Sequence, residues 1–368
     1  MLHVAEAAVG IVILAVAFYD VFQSVVLPRP SIGKLRIAPW ILRPLWAMWR
    51  WMGMRESRLD HRENRLGSFG PVGLLALLAF WSLSSILGYA LIIDSLADEI
   101  QPPLQDFWTS LYFSASTLLP LSYGEILPIG FLARLVIVAE SATGVGLIAL
   151  VISLLFSLYG SFQRREELVV TLDALAGAPP AGLQILETVA EHRMPDELRA
   201  TFDDWRRWSA AVLESHLAYP ILVYFRSSHD NEAWLNSFGA VMDAATLVLS
   251  TVVSEDATKG HARLMFKVGN HLVEDLAWYF RFKNAGVPIV ERQEFDDARQ
   301  RLISAGYKCH DADVAWPQFA SLRSMYASVI NQLAGRLAIL PAKWIGDRSY
   351  VPHVERGTSA RRAAKQGR

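Results

Sequence analysis

The chain has 368 residues, with 35 Lys and Arg against 36 Asp and Glu, a formal net charge of -1 and 52% hydrophobic residues. So even a charge balance offers no bulk attraction for polyphosphate, and no nucleic-acid partner is expected. The one cysteine, Cys309, excludes an intrachain disulfide framework and a cysteine-rich zinc site. The apolar residues concentrate before about residue 160, and charged residues mix with apolar ones after it. That pattern predicts an integral, multi-pass membrane protein with a water-soluble helical region in its second half.

A bilayer core about 30 Å thick takes roughly 20 helical residues. Three stretches meet that length: 4–27, 69–93 and 129–160. The first lacks a basic leading region and runs into Pro28-Arg29-Pro30 without a small-residue cleavage site, which predicts a retained anchor. Asp20, an acid within this span, is expected to pair with an interface arginine. The loop that follows carries Arg29, Lys34, Arg36, Arg43, Arg50, Arg55, Arg58, Arg62 and Arg65, with Trp40, Trp46, Trp49 and Trp51 among them. Interleaved arginine and tryptophan predict an amphipathic helix lying at the inner membrane interface, with lipid as its partner.

Residues 107–119 (FWTSLYFSASTLL) are apolar and aromatic but too short to span, which predicts a re-entrant or interfacial segment. No Lys or Arg occurs from Ser95 to Ile129, whereas Asp98, Glu99, Asp106 and Glu125 do. Arg164 and Arg165 follow the third span. The asymmetry predicts an external N-terminus and a cytoplasmic C-terminal region. Glu140 lies inside the third span, where a carboxyl must face protein or water, and Ser114, Ser116 or Thr117 would supply its hydrogen bond. Gly144 and Gly146 on the same span allow either close helix packing or a bend.

The order span, short helix, loop, span is the plan of a potassium-channel pore. Residues 110–117 (SLYFSAST), Ser122-Tyr123-Gly124-Glu125 with Pro128, Ala133-Arg134-Leu135 and the Gly144/Gly146 region resemble the pore helix, filter end and inner helix of the two-transmembrane potassium-channel pore superfamily. The chain as a whole also resembles bacterial proteins of the potassium channel family, through Asp20-Val-Phe-Gln, Tyr224-Phe-Arg-Ser, Trp234-Leu and Asp243-Ala-Ala. The resemblance implies a homotetramer in the bacterial inner membrane, in which backbone carbonyls from four chains replace an ion's hydration shell. It assigns Pro120, Leu121, Ser122, Tyr123 and Gly124 to the filter, Glu125 to the outer mouth, Trp108, Ser114 and Thr117 to the pore helix, and Glu140, Gly144 and Gly146 to the inner helix. In the four-fold packing that the resemblance implies, Trp108 and Tyr123 would hold the filter from behind. Against the family's T-V-G-Y-G, this chain reads P-L-S-Y-G. Pro120 removes a threonine hydroxyl, and Ser122 places a β-carbon where the backbone should turn left-handed. The implied activity is a monovalent cation channel with a degenerate filter, passing potassium or sodium ions and needing no cofactor. The alternative is a non-conducting scaffold or sensor that keeps the channel fold.

From Arg164 onward the pattern is helical, broken at Gly177-Ala-Pro-Pro180 and resuming at about 182–192, 195–219, 231–254, 255–284, 290–306 and 318–340. There is no phosphate-binding glycine motif for a nucleotide-gated design. His271, Glu274 and Asp275, and Cys309-His310-Asp311 with Asp313, are spaced too loosely to predict a metal site. Glu214, Ser215 and His216 adjoin, and neighbours on a helix are not expected to face each other, so no catalytic site is predicted. The fold class expected is an all-α membrane protein: three transmembrane helices with one re-entrant pore helix and loop, plus a cytoplasmic α-helical domain. The expected domains are 1–68 (first helix and interfacial helix), 69–163 (pore module), 164–345 (cytoplasmic helices) and 346–368, a basic tail expected to be disordered.

Overall fold

The computed structural model describes residues 2–27, 37–121, 123–227, 233–340 and 344. The predicted tail, Ser122 and the first basic residues, Arg29, Lys34 and Arg36, lie outside the described residues. Three helices are long and apolar enough to cross a membrane: His3–Val26, His61–Ser95 and Phe131–Ala176. The chain divides into two compact units, one of residues Met1–Ser161 with Ser215–Phe225, the other of Phe162–Glu214 with the described residues after Phe225.

In the first unit, helix α1 (Leu2–Val21) ends in a π-helical turn, Phe22–Val26, and pairs with α4 (Phe69–Ser95). Small residues set this approach. A Cβ on Gly10 would stand 2.5 Å from the Gly88 carbonyl, and one on Gly88 2.7 Å from Leu14. Helix α2 (Ala38–Met54) packs beside α4, followed by the short α3 (Leu59–Gly67). The contacts run in antiparallel order. Leu42 lies where a Cβ on Gly73 would be 3.1 Å away, Trp46 meets Phe69 at 4.9 Å between ring centres, and Gly53 faces Leu66. So α2 travels lengthwise along the start of α4 and packs one face against it. Trp46 is 5% exposed in that packing, while Trp40 is 78% exposed.

Asp20 explains where α2 begins. It is fully buried, and its carboxylate accepts hydrogen bonds from the Ile37 and Ala38 amides at 2.8 and 3.3 Å and from the Trp81 indole at 2.9 Å. Among the described residues its partners are two helix-start amides and an indole, not the arginine expected from sequence. An uncapped helix start presents amides that need acceptors, and a buried carboxylate needs donors.

Helix α5 (Phe107–Leu118) follows a two-residue strand β1 (Ile100–Gln101), which pairs antiparallel with β2 (Leu127–Pro128), a small ladder the sequence does not signal. Leu14, Tyr89, Ile93, Ile100, Phe113 and Ala133 form the core joining α1, α4, α5 and the next helix. That helix, α6, runs unbroken from Phe131 to Ala176. The helix therefore continues beyond the apolar stretch expected at 129–160. The first unit is completed by a single turn of 3-10 helix, Pro220–Tyr224, contributed from later in the chain. Tyr224 meets Trp46 at 5.4 Å and Phe69 at 5.1 Å. Phe225 meets Tyr159 of α6 edge-on at 6.3 Å and fills the space beside Gly70, where a Cβ would stand 2.7 Å from its ring.

The second unit is helical among its described residues: α7 (Gly182–His192), α8 (Pro195–Ala218), α9 (Trp234–Ser250), α10 (Asp256–Phe280), α11 (Arg292–Ser304), α12 (Ala312–Ser324) and α13 (Ala327–Leu337). The 318–340 helix of the sequence reading is two helices, the first beginning at Ala312 and carrying Pro317 inside it. Helix α9 is the core element, packing on α7, α10, α12 and α13. Its Asp243 accepts from Arg323 Nε at 3.0 Å and from the Tyr326 hydroxyl at 2.6 Å, satisfying buried charge with charge and hydrogen bonds. Burial, with the Asp243 charge beside it, pushes the Tyr326 phenol well above its usual range. Arg301 forks onto both Glu187 oxygens at 2.8 and 2.6 Å, tying α11 to α7.

Candidate functional site

The candidate site is the turn between α5 and α6, and three polar anchors hold α5. Asp106 caps its first turn by accepting from the Thr109 amide at 2.8 Å. Ser110 donates to Asp94 of α4 at 2.6 Å. Ser114 shares its hydroxyl between the Ile86 carbonyl at 2.8 Å and Glu140 Oε1 at 2.5 Å, so one side chain links α5 to both α4 and α6. The bond that sequence alone expects for Glu140 is thus made to Ser114. Glu140 is fully buried, and its other oxygen has no hydrogen-bond partner among the described residues. Close by, the Tyr89 hydroxyl lies 2.8 Å from Thr143 Oγ1, a second polar link between α4 and α6. Thr117 is buried at 6% exposure.

The end of α5 is seated on Gly144. A Cβ there would stand 1.9 Å from the Leu118 carbonyl oxygen, whereas one on Gly146 meets nothing within 4 Å. Of the two readings of this glycine pair, close packing therefore describes Gly144. The α6 backbone is helical through both glycines.

Beyond Leu118 the chain turns at Leu119-Pro120, and the Leu121 amide donates to the Ser116 carbonyl at 2.8 Å. Ser122 lies outside the described residues, so the strain expected there has no counterpart to describe. Gly124 adopts φ +79°, the left-handed region that glycine enters without a Cβ penalty. Leu121 and Tyr123 are 50% and 64% exposed. Glu125 is exposed and accepts from the Tyr112 hydroxyl at 3.3 Å. Trp108 is 73% exposed within one chain.

Two positioning residues escape the sequence reading. Asp94 receives Ser110, as above. Glu99, counted there only as an external acid, accepts the Ile129 and Gly130 amides on its carbonyl and the Ala133 amide on Oε2 at 2.9 Å, capping the start of α6. Its signal is Gly130, because any Cβ there would collide with the Glu99 carboxylate.

In the second unit, His271 and Asp275 form an exposed pair at 3.6 Å, with Glu274 accepting from Asn270 instead. Burial raises the Cys309 thiol, which stabilises the unreactive thiol form. In the first unit one sequence argument fails: Ser215 Oγ lies 3.3 Å from His216 Nδ1, so these adjacent residues do meet.

A family model described as an ion channel matches residues 76–160, from within α4 to within α6, and includes every residue of the turn and its anchors. The match points to a non-enzymatic channel module within a membrane protein. The chain is also 25% identical, over 207 residues, to the uncharacterized membrane protein YdjJ of Bacillus subtilis (strain 168). That alignment covers 54% of this chain and 58% of the relative, less than two thirds of its length. No solved structure matches.

Proposed function

We propose that this protein is a homotetrameric, potassium-channel-type pore for monovalent cations, with a degenerate filter at Pro120–Gly124 and weak discrimination between potassium and sodium. The observation that carries the reading is the placement of α5. It is locked between α4 and α6 by Ser114 and Glu140, and it presents an exposed turn after Leu118. One such turn cannot surround an ion, and four copies around an axis can. Within one chain the most apolar stretch of α6 is 11% buried, against 33% and 39% for those of the other two spans, so most of its surface is available to neighbouring copies or lipid.

Glu125 beside the turn is the outer-mouth acid, and four copies would raise the local cation concentration. Pro120 has no side-chain hydroxyl for the innermost site, and its ring fixes φ near about -65°. Changing how many carbonyls face the ion changes selectivity. The basic loop after α1 and the acidic segment around Asp98 orient the chain in a bacterial inner membrane with its N-terminus outside.

The test is reversal potential in planar bilayers under a potassium/sodium gradient, alongside native mass spectrometry. A tetramer that reverses near zero is expected, and Pro120→Thr with Ser122→Gly moves the reversal toward the potassium potential. A stable monomer or dimer refutes the assembly. A tetramer without flux establishes the non-conducting scaffold instead.

A further inference from the structure

Helix α2 has two faces, and the proposed pore uses neither. Its inner face, with Leu42 and Trp46, is packed on α4. Its outer face carries Trp40 at 78% exposure, Trp51 at 55% and Met48 at 49%, with the exposed arginines Arg43 and Arg50 seven residues apart on the same side. The helix contains no Asp or Glu. Among the described residues neither arginine is paired with a carboxylate.

Unpaired guanidinium groups beside exposed indoles are unusual for a surface that meets only water, because the indoles stay wet there. They suit a surface with anions at one level and hydrocarbon at the next. The antiparallel order supplies those levels. Trp46 lies at Phe69, where the apolar run of α4 begins, so Arg43 and Arg50 bracket that boundary and Trp40 lies further along the apolar run. Indoles settle at such boundaries, and a planar guanidinium donates two parallel hydrogen bonds to a phosphate.

We propose that the outer face of α2 binds anionic phospholipid, with the phosphate held by Arg43 and Arg50 and the lipid body lying along Trp40. The charge complementarity, two cations with no acid on the helix, selects anionic over zwitterionic lipid. The proposal requires membrane insertion and does not require conduction.

The full-length protein in detergent is titrated with phosphatidylglycerol or phosphatidylcholine and its lipid adducts are counted by native mass spectrometry. Phosphatidylglycerol should be retained in preference by about thirtyfold, the order expected for two arginines at an anionic surface. Arg43→Gln with Arg50→Gln should abolish the preference. Arg43→Lys with Arg50→Lys keeps the charge, loses the fork and should fall between, which also guards against misfolding of the Gln variant. Arg207→Gln, exposed in the second unit, should leave the preference intact. Equal retention of the two lipids by the unaltered protein overturns the proposal. So does an unchanged preference in the Gln variant. Loss of oligomer without loss of lipid preference assigns the face to a second copy and overturns it as well. None of these readouts depends on ion flux.

Discussion

Gly144 and Gly146 are two residues apart on one helix and have opposite surroundings. An added methyl at Gly144 collides with the Leu118 backbone, which cannot move aside as a side chain can. Gly144→Ala should therefore lower stability by about 1–3 kcal/mol, the usual range for overpacking. At Gly146 the space is open, and alanine should stabilise the helix by about 0.5–1 kcal/mol within one chain. Thermal unfolding in detergent separates the two, and equal destabilisation would refute this assignment of roles. A second prediction concerns Asp106. Hydrogen bonds from the Thr109 side chain, then from its amide, hold this carboxyl below its usual range. The cap's contribution is therefore present above the unfolded-state value and is lost as pH falls through the lower folded value. Asp106→Asn keeps an acceptor but does not titrate, so its melting temperature should fall less than the unaltered protein's between neutral pH and about pH 3. Residue identity made Glu140's need for a partner legible, since a carboxyl in an apolar span must find one. It did not reveal Glu99, because that cap depends on a loop folding back over some thirty residues of chain.

The helices that were legible have strong periodicity or long apolar runs, and the boundaries that failed have physical causes. The apolar stretch expected at 129–160 ends where charge begins, and since charged side chains do not end a helix, α6 leaves its apolar part and continues to Ala176. The helix expected at 318–340 is two helices, and Pro317 lies inside the first of them, α12. The α1–α2–α4 junction could not be read at all, because Asp20 finds its donors seventeen and sixty-one positions away. That junction carries a prediction. Asp20→Ala leaves the Trp81 indole N–H buried without an acceptor, at about 1–3 kcal/mol, and uncaps α2 besides. In the Asp20→Ala background, Trp81→Phe should cost less than it does in the unaltered chain, because the orphaned donor is gone. Additive losses in this cycle would show that the two side chains do not interact energetically.

At the scale of the molecule, the positive-inside orientation makes a direct prediction. In a Cys309→Ser background, Asp98→Cys should react with an impermeant maleimide in intact cells, while Arg58→Cys and Glu191→Cys should react after lysis alone. All three side chains are exposed, so a silent position reports sidedness rather than burial. External reaction at position 58 would invert the topology. The three long apolar helices were legible from composition alone. The return of residues 215–225 to the first unit was not, since nothing local marks Tyr224 and Phe225 as partners for Phe69 and Gly70. That return has a consequence for biosynthesis. Phe225 is made about 155 residues after Gly70, and at roughly 5–20 residues per second the ribosome needs on the order of 8–30 s to supply it. During that interval α4 is already synthesised while the aromatic seat at its start stands empty. Any nascent chain released before residue 225 carries Trp46, Phe69 and the groove at Gly70 uncovered, a patch that quality-control proteases and chaperones recognise. Completion of the first unit is thus timed by a segment encoded more than 50 residues after that unit's main stretch ends at Ser161.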